Sequence, residues 1–180
     1  MKGLMALKIA IGAGHTKSGA GYGAVSGTYK ESDIARDITK VVIKELKKQG
    51  HKVVDCTIDL ANSQNAYLKE QVKLANNSGA DYFLCIHLNA SATHLGKGSE
   101  IYTWNGNKDK VAIKILDNLE DLGFKNRGIK KGNGYYIVKK TNMKALLIEV
   151  FFLDNKTDQK LYTKLGAKKV AEAIANALDK

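Results

Sequence analysis

Two histidines and one glutamate lie where apolar segments of the sequence end, and their side-chain types suit hydrolytic chemistry. His15 lies four residues after the run ALKIAI, in the glycine-rich stretch GAGHTKSGAGYG. His87 directly follows the run YFLCI, and Glu149 ends the run ALLIE. A carboxylate in such a run is costly to bury without a partner. Two histidines and a carboxylate form the usual ligand set of a hydrolytic zinc ion, with one position left for water.

Short apolar runs predict the strands that position these side chains. Runs of this kind, bounded by glycine, asparagine or charged residues, are typical of strands that are buried on both faces of a sheet. Four of them predict core strands at Ala6–Ile11, Lys52–Cys56, Tyr82–Ile86 and Ala145–Val150. Two additional strands are predicted at Glu100–Trp104 and Tyr135–Val138.

Segments with apolar residues at helical spacing separate the predicted strands. They predict a helix that contains Ile34 to Leu46 and stops at Gly50, and further helices at Ser63–Asn77, Lys108–Leu122 and Asp158–Leu178. The alternation predicts an α/β fold with a mostly parallel, twisted sheet of about six strands and helices on both faces. The three candidate residues then meet at the carboxyl edge of that sheet, where ligand crevices form.

The composition is that of a folded domain. Of the 180 residues, 44% are hydrophobic and 26% are charged, which excludes the disordered and fibrous classes. The length favours one domain over residues 1–180. The formal net charge is +11, from 29 Lys and Arg against 18 Asp and Glu, so we expect attraction to polyanions such as nucleic acid, an anionic membrane or an acidic wall.

The sequence contains no candidate membrane span, because no stretch approaches the roughly 20 apolar residues that a span needs. The start, MKGLMALKIAIGAGH, superficially resembles a signal peptide, but Lys8 interrupts it and its removal would delete the first core strand. We therefore interpret it as part of the mature protein.

Cys56 and Cys85 lie in apolar runs and are predicted to be buried thiols rather than a disulfide, which favours synthesis in the cytoplasm.

Five motifs in order carry a family resemblance. They are KIAIGAGH, YKESDIARDI, IHLNAS with a following GKGSEIY, RGIKKG, and LLIEVFFLDN with a closing amphipathic helix. Nearly the whole chain thereby resembles the zinc-dependent N-acetylmuramoyl-L-alanine amidases of the amidase type 3 family, and more closely the catalytic domains of phage endolysins. Matched position by position, the resemblance implies that His15, Glu31 and His87 are zinc ligands and that Glu149 is the catalytic glutamate.

The resemblance also implies a function. It points to a peptidoglycan hydrolase, an endolysin or autolysin, that cleaves the amide between N-acetylmuramic acid and the L-alanine of the stem peptide. Zn²⁺ is the implied cofactor, and Glu149 is the implied general base and later general acid. Without an export signal, the protein is expected to wait in the host cytoplasm and to act on the wall after release. Two prolines usual in the family are absent, and Thr16 replaces a common glycine, so loop shapes are expected to differ.

Two other functions stay open from the residues alone. One is a different zinc peptidase that acts within the stem peptide. The other is a basic nucleic-acid-binding module without catalysis, although the interleaved aromatic residues that stack bases are not evident. We therefore expect peptidoglycan as the partner and no nucleic acid.

Several remaining residues carry weaker expectations. His51 is predicted to be a surface residue, and His94 is a candidate for substrate contact. Cys85 lies two residues before His87 and is an alternative metal ligand, although a core thiol is favoured because its strand is otherwise apolar. From Lys125 to Lys144 the chain carries seven basic residues and no acidic one, which favours a surface that meets anionic wall polymers.

Overall fold

Ten strands and five helices make up the described part of the fold in a computed structural model, which describes residues 6–179. The first five residues, part of the stretch that resembles a signal peptide, lie outside the described residues. The strands are β1 (Lys8–Ala13), β2 (Ser18–Gly19), β3 (Val25–Ser26), β4 (Tyr29–Lys30), β5 (Lys52–Asp55), β6 (Leu60–Ala61), β7 (Tyr82–Asn89), β8 (Ser99–Thr103), β9 (Asn126–Lys131) and β10 (Lys144–Phe152). The helices are α1 (Glu31–Lys48), α2 (Gln64–Ser78), α3 (Lys110–Asp121), α4 (Tyr136–Lys140) and α5 (Lys156–Ala175).

Six of these strands form the central sheet, in the order β5-β1-β7-β10-β8-β9. The first four are parallel to one another, whereas β8 pairs antiparallel with β10 and β9 runs parallel to β8. The α/β fold with a mostly parallel sheet is thereby confirmed. Two short ribbons, β2 with β6 and β3 with β4, lie outside the sheet, in the segments that follow β1 and β5.

Helices cover both faces of the sheet and bury two apolar layers. One layer packs β-strand residues against α1, α3 and α5, and the other packs them against α2 and α4. The central strands β7 and β10 are buried along nearly their whole length, which explains their largely apolar sequences. Within residues 6–179, no helix has the length and the apolar composition that crossing a bilayer requires.

Polar residues at the helix ends explain where the helices begin. The Ser63 hydroxyl accepts a hydrogen bond from the Ala66 amide at the start of α2, and the Asp109 carboxylate accepts from Val111 at the start of α3. Asn155 caps α5 in the same way. Gly166 adopts φ +71° within α5, so the predicted continuous last helix is interrupted there.

The strand prediction at Tyr135–Val138 is wrong. Residues Tyr136–Lys140 form the short helix α4, whose buried Ile137 and Val138 join the apolar layer on the α2 side of the sheet. The aromatic and β-branched sequence YYIV favours a strand locally, and tertiary packing overrides that preference. The sixth strand is instead β9, whose polar sequence NRGIKK belongs to a half-exposed strand at the edge of the sheet.

Candidate metal centre

Glu31 lies between His15 and His87 at the carboxyl edge of the sheet. Its Oε2 atom is 3.2 Å from Nε2 of His15, and its Oε1 atom is 3.2 Å from Nδ1 of His87. One ligand atom from each side chain lies within 4.8 Å of the other two. The two imidazole rings meet edge to face, with centroids 4.9 Å apart. The structure thus brings together the three residues that the resemblance assigns to the metal.

The loop that follows β1 presents His15. The residue has φ +63°, a left-handed conformation that is uncommon outside glycine. Its Nδ1 atom lies 2.9 Å from the carbonyl oxygen of Gly21 and donates to it, which leaves Nε2 facing Glu31. The loop is therefore shaped so that one defined ring nitrogen points into the cluster.

Arg36 fastens this loop to the first helix. Its guanidinium, buried in α1, donates to the His15 carbonyl oxygen at 3.0 Å and to the Ile58 carbonyl oxygen at 2.8 Å. It also donates to Asp59 and to the Ser32 carbonyl oxygen, each at 2.8 Å. Four of its five N–H groups are therefore used, and the backbone of a candidate ligand is one of the acceptors.

Two glycines allow the backbone to approach the cluster closely. A Cβ atom on Gly14 would overlap the ring of His87. A Cβ atom on Gly23, which has φ +82°, would lie 2.7 Å from Oε2 of Glu31 and 2.8 Å from the ring of His15. The glycine-rich sequence after β1 thus leaves room for the three side chains.

The Glu31 carboxylate is held by the backbone as well as by the imidazoles. Oε1 accepts from the Leu88 amide at 3.1 Å, and Oε2 accepts from the Ala24 amide at 3.0 Å. Burial raises the pKa of Glu31, but the hydrogen bonds and charges of His15 and His87 outweigh it and hold the pKa well below its usual range. Burial lowers the pKa of His15, and Glu31 more than offsets this, so that the pKa is raised. The carboxylate is therefore ionised and ready to bind a cation.

Glu149 lies beside this cluster in the middle of β10. It pairs in register with His87 of β7 on one side and with Glu100 of β8 on the other. The side chain is buried, and its Oε2 atom has no hydrogen-bond partner among the described residues. Burial first, and then the negative charges of Glu31 and Glu100, raise the pKa of Glu149 well above its ordinary value. A buried carboxyl with a raised pKa can take and return a proton.

The cluster opens into a cavity of about 400 Å³. His15, Glu31, His87 and Glu149 all line it. Tyr135 and Asn89 line it too, and sequence reasoning missed both. Asn89 lies two residues after His87, so the period of a strand was a signal that could have placed it on the same face.

Glu100, also missed from the sequence, ties Asn89 to the rest of the sheet. Its Oε1 atom accepts from the Asn89 side-chain amide at 2.7 Å and from the Tyr102 hydroxyl at 2.9 Å. Its Oε2 atom lies 2.8 Å from Nε of Arg127, whose guanidinium stacks 4.8 Å from the ring centre of Phe152. Both oxygens of this buried carboxylate are thus paired, in contrast to Glu149.

Three other residues that the sequence singled out lie outside the cluster. Cys85 is fully buried and its thiol donates to the Gln71 side-chain oxygen at 3.6 Å, while burial raises the thiol pKa well above its usual value. His51 is buried, contrary to the surface position predicted, and its Nδ1 atom accepts from the Leu7 amide. His94 lies 2.7 Å from Asp154 and does not line the cavity.

The residues present fit a divalent metal ion. Two imidazoles and a carboxylate are the donor set of a hydrolytic zinc site, and ligands bound tetrahedrally at 2.0–2.2 Å would lie about 3.4 Å apart. One donor atom from each of the three side chains lies within 4.8 Å of the other two, so small side-chain movements would bring them to that spacing. The unpartnered Oε2 of Glu149 beside the cluster provides an acceptor for a proton of a further ligand such as water.

Comparisons with known proteins agree on one family. The family model described as Amidase_3, N-acetylmuramoyl-L-alanine amidase, matches residues 9–180. The amidase CwlM of Bacillus licheniformis is 28% identical over 96% of this chain and 67% of its own length. The solved catalytic domain of the CD27L endolysin, which targets Clostridia difficile, superposes with a TM-score of 0.86 at 34% identity, covering 96% of both chains.

The chain is shorter than some of its relatives. An uncharacterised protein of Clostridium perfringens is 33% identical over 96% of this chain, which spans only 52% of that relative. The match to the family model nevertheless extends over nearly all of the sequence and includes every residue of the cluster and Glu149. The chain therefore belongs to the Amidase_3 family of N-acetylmuramoyl-L-alanine amidases.

Proposed function

We propose that residues 1–180 form a peptidoglycan-hydrolysing catalytic domain. Its substrate is the amide that joins the lactyl group of N-acetylmuramic acid to the L-alanine of the stem peptide. Its resident cofactor is Zn²⁺, held by His15, Glu31 and His87, and Glu149 handles the proton. The biological role is that of an endolysin or an autolysin.

The observation that carries this proposal is the arrangement of Glu149 beside the three-residue cluster. The cluster leaves one side open to the cavity, and the candidate base lines the same cavity. A site of three protein ligands with an open position is typical of catalytic rather than structural zinc. Membership of the amidase family supplies the bond that such a site would hydrolyse.

The chemistry divides between the metal and the protein. When bound, zinc supplies Lewis acidity, which polarises a carbonyl and lowers the pKa of water from 15.7 towards about 7. Glu149 takes a proton from the attacking water as the water oxygen bonds to the amide carbon. It then gives that proton to the departing nitrogen of L-alanine as the carbon–nitrogen bond breaks. The raised pKa of Glu149 favours this second transfer.

The protein's other site residues prepare these steps. Gly21 and Arg36 fix the orientation of His15, and two backbone amides fix Glu31. The buried strands on which His87 and Glu149 lie keep the base at a set distance from the cluster. Such preorganisation reduces the reorganisation that the reaction would otherwise require.

The charge of the protein suits the same target. The net charge of +11 favours contact with the anionic polymers of bacterial walls. Of the basic segment from Lys125 to Lys144, Arg127 and Lys144 are paired with Glu100 and Asp109, whereas the other five basic residues are exposed lysines. These five exposed lysines are candidate contacts with the wall.

Digestion of purified peptidoglycan tests the proposal. Mass spectrometry of the products should show stem peptides with L-alanine at a free N-terminus and glycan strands that retain intact muramic acid. Activity should disappear on chelation and return with zinc. Products that end in any other amino acid would instead identify a peptidase that cuts within the stem.

A further inference from the structure

A second cavity lies at the amino ends of the parallel strands, opposite the carboxyl edge that carries the metal cluster. It has a volume of about 850 Å³, and residues at the start of β10 and just before β7 line it, including Lys144 and Asp81. Glu149 is five residues further along β10 than Lys144, which places these two residues about 17 Å apart along the strand. A ligand in this cavity would therefore leave the metal centre accessible.

The two carboxylates that line this cavity both contact other groups of the protein. Asp81 accepts a hydrogen bond from the Lys8 amide at 2.8 Å. Asp109 accepts from the Tyr82 hydroxyl at 3.1 Å and lies 3.0 Å from the ammonium of Lys144. The charge of Asp109 is thus paired with Lys144, whereas Asp81 keeps its negative charge.

Two further lysines contribute positive charge without such compensation. Lys108 and Lys139 both line the cavity and are exposed. Neither ammonium lies within 4.0 Å of a carboxylate of residues 6–179. The cavity is lined by three lysines and two aspartates, so its formal net charge is +1, and the two exposed lysines are accessible to an anionic ligand.

An exposed aromatic ring on a fixed turn lines the same cavity. Trp104 is 45% exposed, on a short 3-10 turn that ends at Gly106. Asn105 within the turn has φ +56° and exchanges two hydrogen bonds with Asn133, at 2.7 and 2.6 Å. These bonds fix the backbone of the turn that carries the indole, so a ligand would not have to order that backbone.

The loop between α4 and β10 is fixed in a similar way. The Asn76 side chain donates to the Lys140 carbonyl oxygen at 3.0 Å and accepts from the Asn142 amide at 2.8 Å. Thr141 and Asn142 of this loop line the cavity. The Thr141 hydroxyl donates to the Ile137 carbonyl oxygen at 2.8 Å and can still accept a hydrogen bond, and Asn142 offers a side-chain amide. Both the aromatic turn and the polar loop are thereby preorganised.

We propose that this cavity binds an anionic sugar polymer of the bacterial wall. The face of an indole suits the apolar face of a sugar ring, amides and hydroxyls suit sugar hydroxyl groups, and ammonium groups suit phosphate or carboxylate. The inference rests on the proposed action on the wall and adds a second, non-catalytic site to it. Such a site would hold the enzyme on the wall while the metal centre acts on a neighbouring segment.

Sedimentation with purified walls tests this site. The parent is the zinc-loaded Glu149→Gln protein, which is expected not to digest the walls, and binding is compared on intact walls and on walls stripped of phosphate polymers by acid. Two variants of this parent are Trp104→Ala and the pair Lys108→Gln/Lys139→Gln. The control pair Lys160→Gln/Lys164→Gln removes equal charge from exposed positions of α5.

We expect Trp104→Ala to weaken wall binding about tenfold. The Lys108→Gln/Lys139→Gln pair should weaken it about threefold to tenfold and reduce its salt dependence, with the control pair within about twofold of the parent. Loss of parent binding on acid-stripped walls would identify a phosphodiester polymer as the ligand. Binding that persists there and still depends on Trp104 would identify a carboxylate-bearing glycan.

Equal binding by the parent, both variants and the control pair would overturn the proposed site. Cleavage of a soluble muropeptide, measured with Glu149 restored, reports on the metal centre separately. Failure of that reaction would contradict the proposed function and would leave the binding result for the second cavity intact.

Discussion

Glu149 stands directly opposite His87, because the parallel pairing of β10 with β7 places the two residues in register. Register partners on adjacent strands point their side chains to the same face of a sheet, about 5 Å apart. The backbone hydrogen bonds of two buried strands therefore set the separation between the proposed base and one proposed ligand. The separation of these two residues is thus set by the sheet, whereas the loop after β1 positions His15 and helix α1 positions Glu31.

Removing the ionisable group of Glu149 should slow catalysis strongly without removing the metal. We expect Glu149→Gln to retain zinc and to lower kcat by about 10²- to 10⁴-fold, because the amide cannot accept and return a proton. Muropeptide cleavage and metal analysis of the same preparation measure the two effects. Glu70→Gln, at an exposed position of α2, is the matched control. A Glu149→Gln protein with native turnover would exclude the assigned role.

The same substitution should stabilise the metal-free protein at neutral pH. Folding raises the pKa of Glu149 above its value in the unfolded chain. The contribution of Glu149 to the free energy of unfolding is therefore fully present below the unfolded pKa and is lost as pH rises through the folded pKa. Glutamine does not ionise. We expect Glu149→Gln to be more stable by about 1–3 kcal/mol at pH 7 and indistinguishable near pH 4.

Thermal unfolding in the presence of a chelator measures this difference. The shift in Tm should be about 2–10 °C at pH 7 for a chain of this length. Other ionisable groups titrate in both proteins and cancel in the comparison. A stability difference that does not depend on pH would show that ionisation of Glu149 does not destabilise the fold.

The glycine at position 14 should be needed for metal binding. Gly14 lies against the ring of His87, and a Cβ atom at this position would overlap that ring. Gly14→Ala must therefore displace the His87 side chain. We expect a loss of zinc affinity of at least about tenfold, measured by competition with a chromogenic chelator. Gly134→Ala is the control, because a Cβ atom there meets nothing within 4 Å although Gly134 lines the same cavity. Equal zinc affinities for Gly14→Ala and Gly134→Ala would show that the close contact between Gly14 and the His87 ring does not matter for metal binding.

Arg36 should set the metal affinity through the backbone of His15. Arg36→Met removes the hydrogen bonds to the His15 and Ile58 carbonyl oxygens, and we expect zinc affinity to fall about 10- to 100-fold. Arg36→Lys, which keeps the charge and one donor group, should recover part of the loss. Lys40→Met, at an exposed position of the same helix, controls for the loss of charge. A variant that unfolds at lower temperature yet binds zinc normally would assign Arg36 a purely structural role.

Much of the sheet could be predicted from the sequence because its strands are buried. The runs that lead to His87 and Glu149 are apolar without interruption, since both of their faces are covered by helices. Strand β9 could not be predicted in this way. It lies at the edge of the sheet, where its Lys130 and Lys131 remain in solvent and remove the apolar signal.

The candidate site was predictable to a different extent for each residue. The ends of the apolar runs located His15, His87 and Glu149, because parallel strands bring their carboxyl ends together. Glu31 begins a helix far away in the sequence, and only the family resemblance pointed to it. Glu100 depends on the antiparallel pairing of β8 with β10, which apolar periodicity alone does not reveal, whereas the period of β7 could have placed Asn89 on the face of His87.

Metal content is the most direct measure of the central claim that His15, Glu31 and His87 hold one zinc ion. We expect about one zinc per chain for the purified protein and for Glu149→Gln. His15→Ala, Glu31→Ala and His87→Ala should each lose it while keeping the native circular dichroism spectrum. A triple variant that still binds one zinc, or a metal-free preparation with full activity on peptidoglycan, would contradict the account.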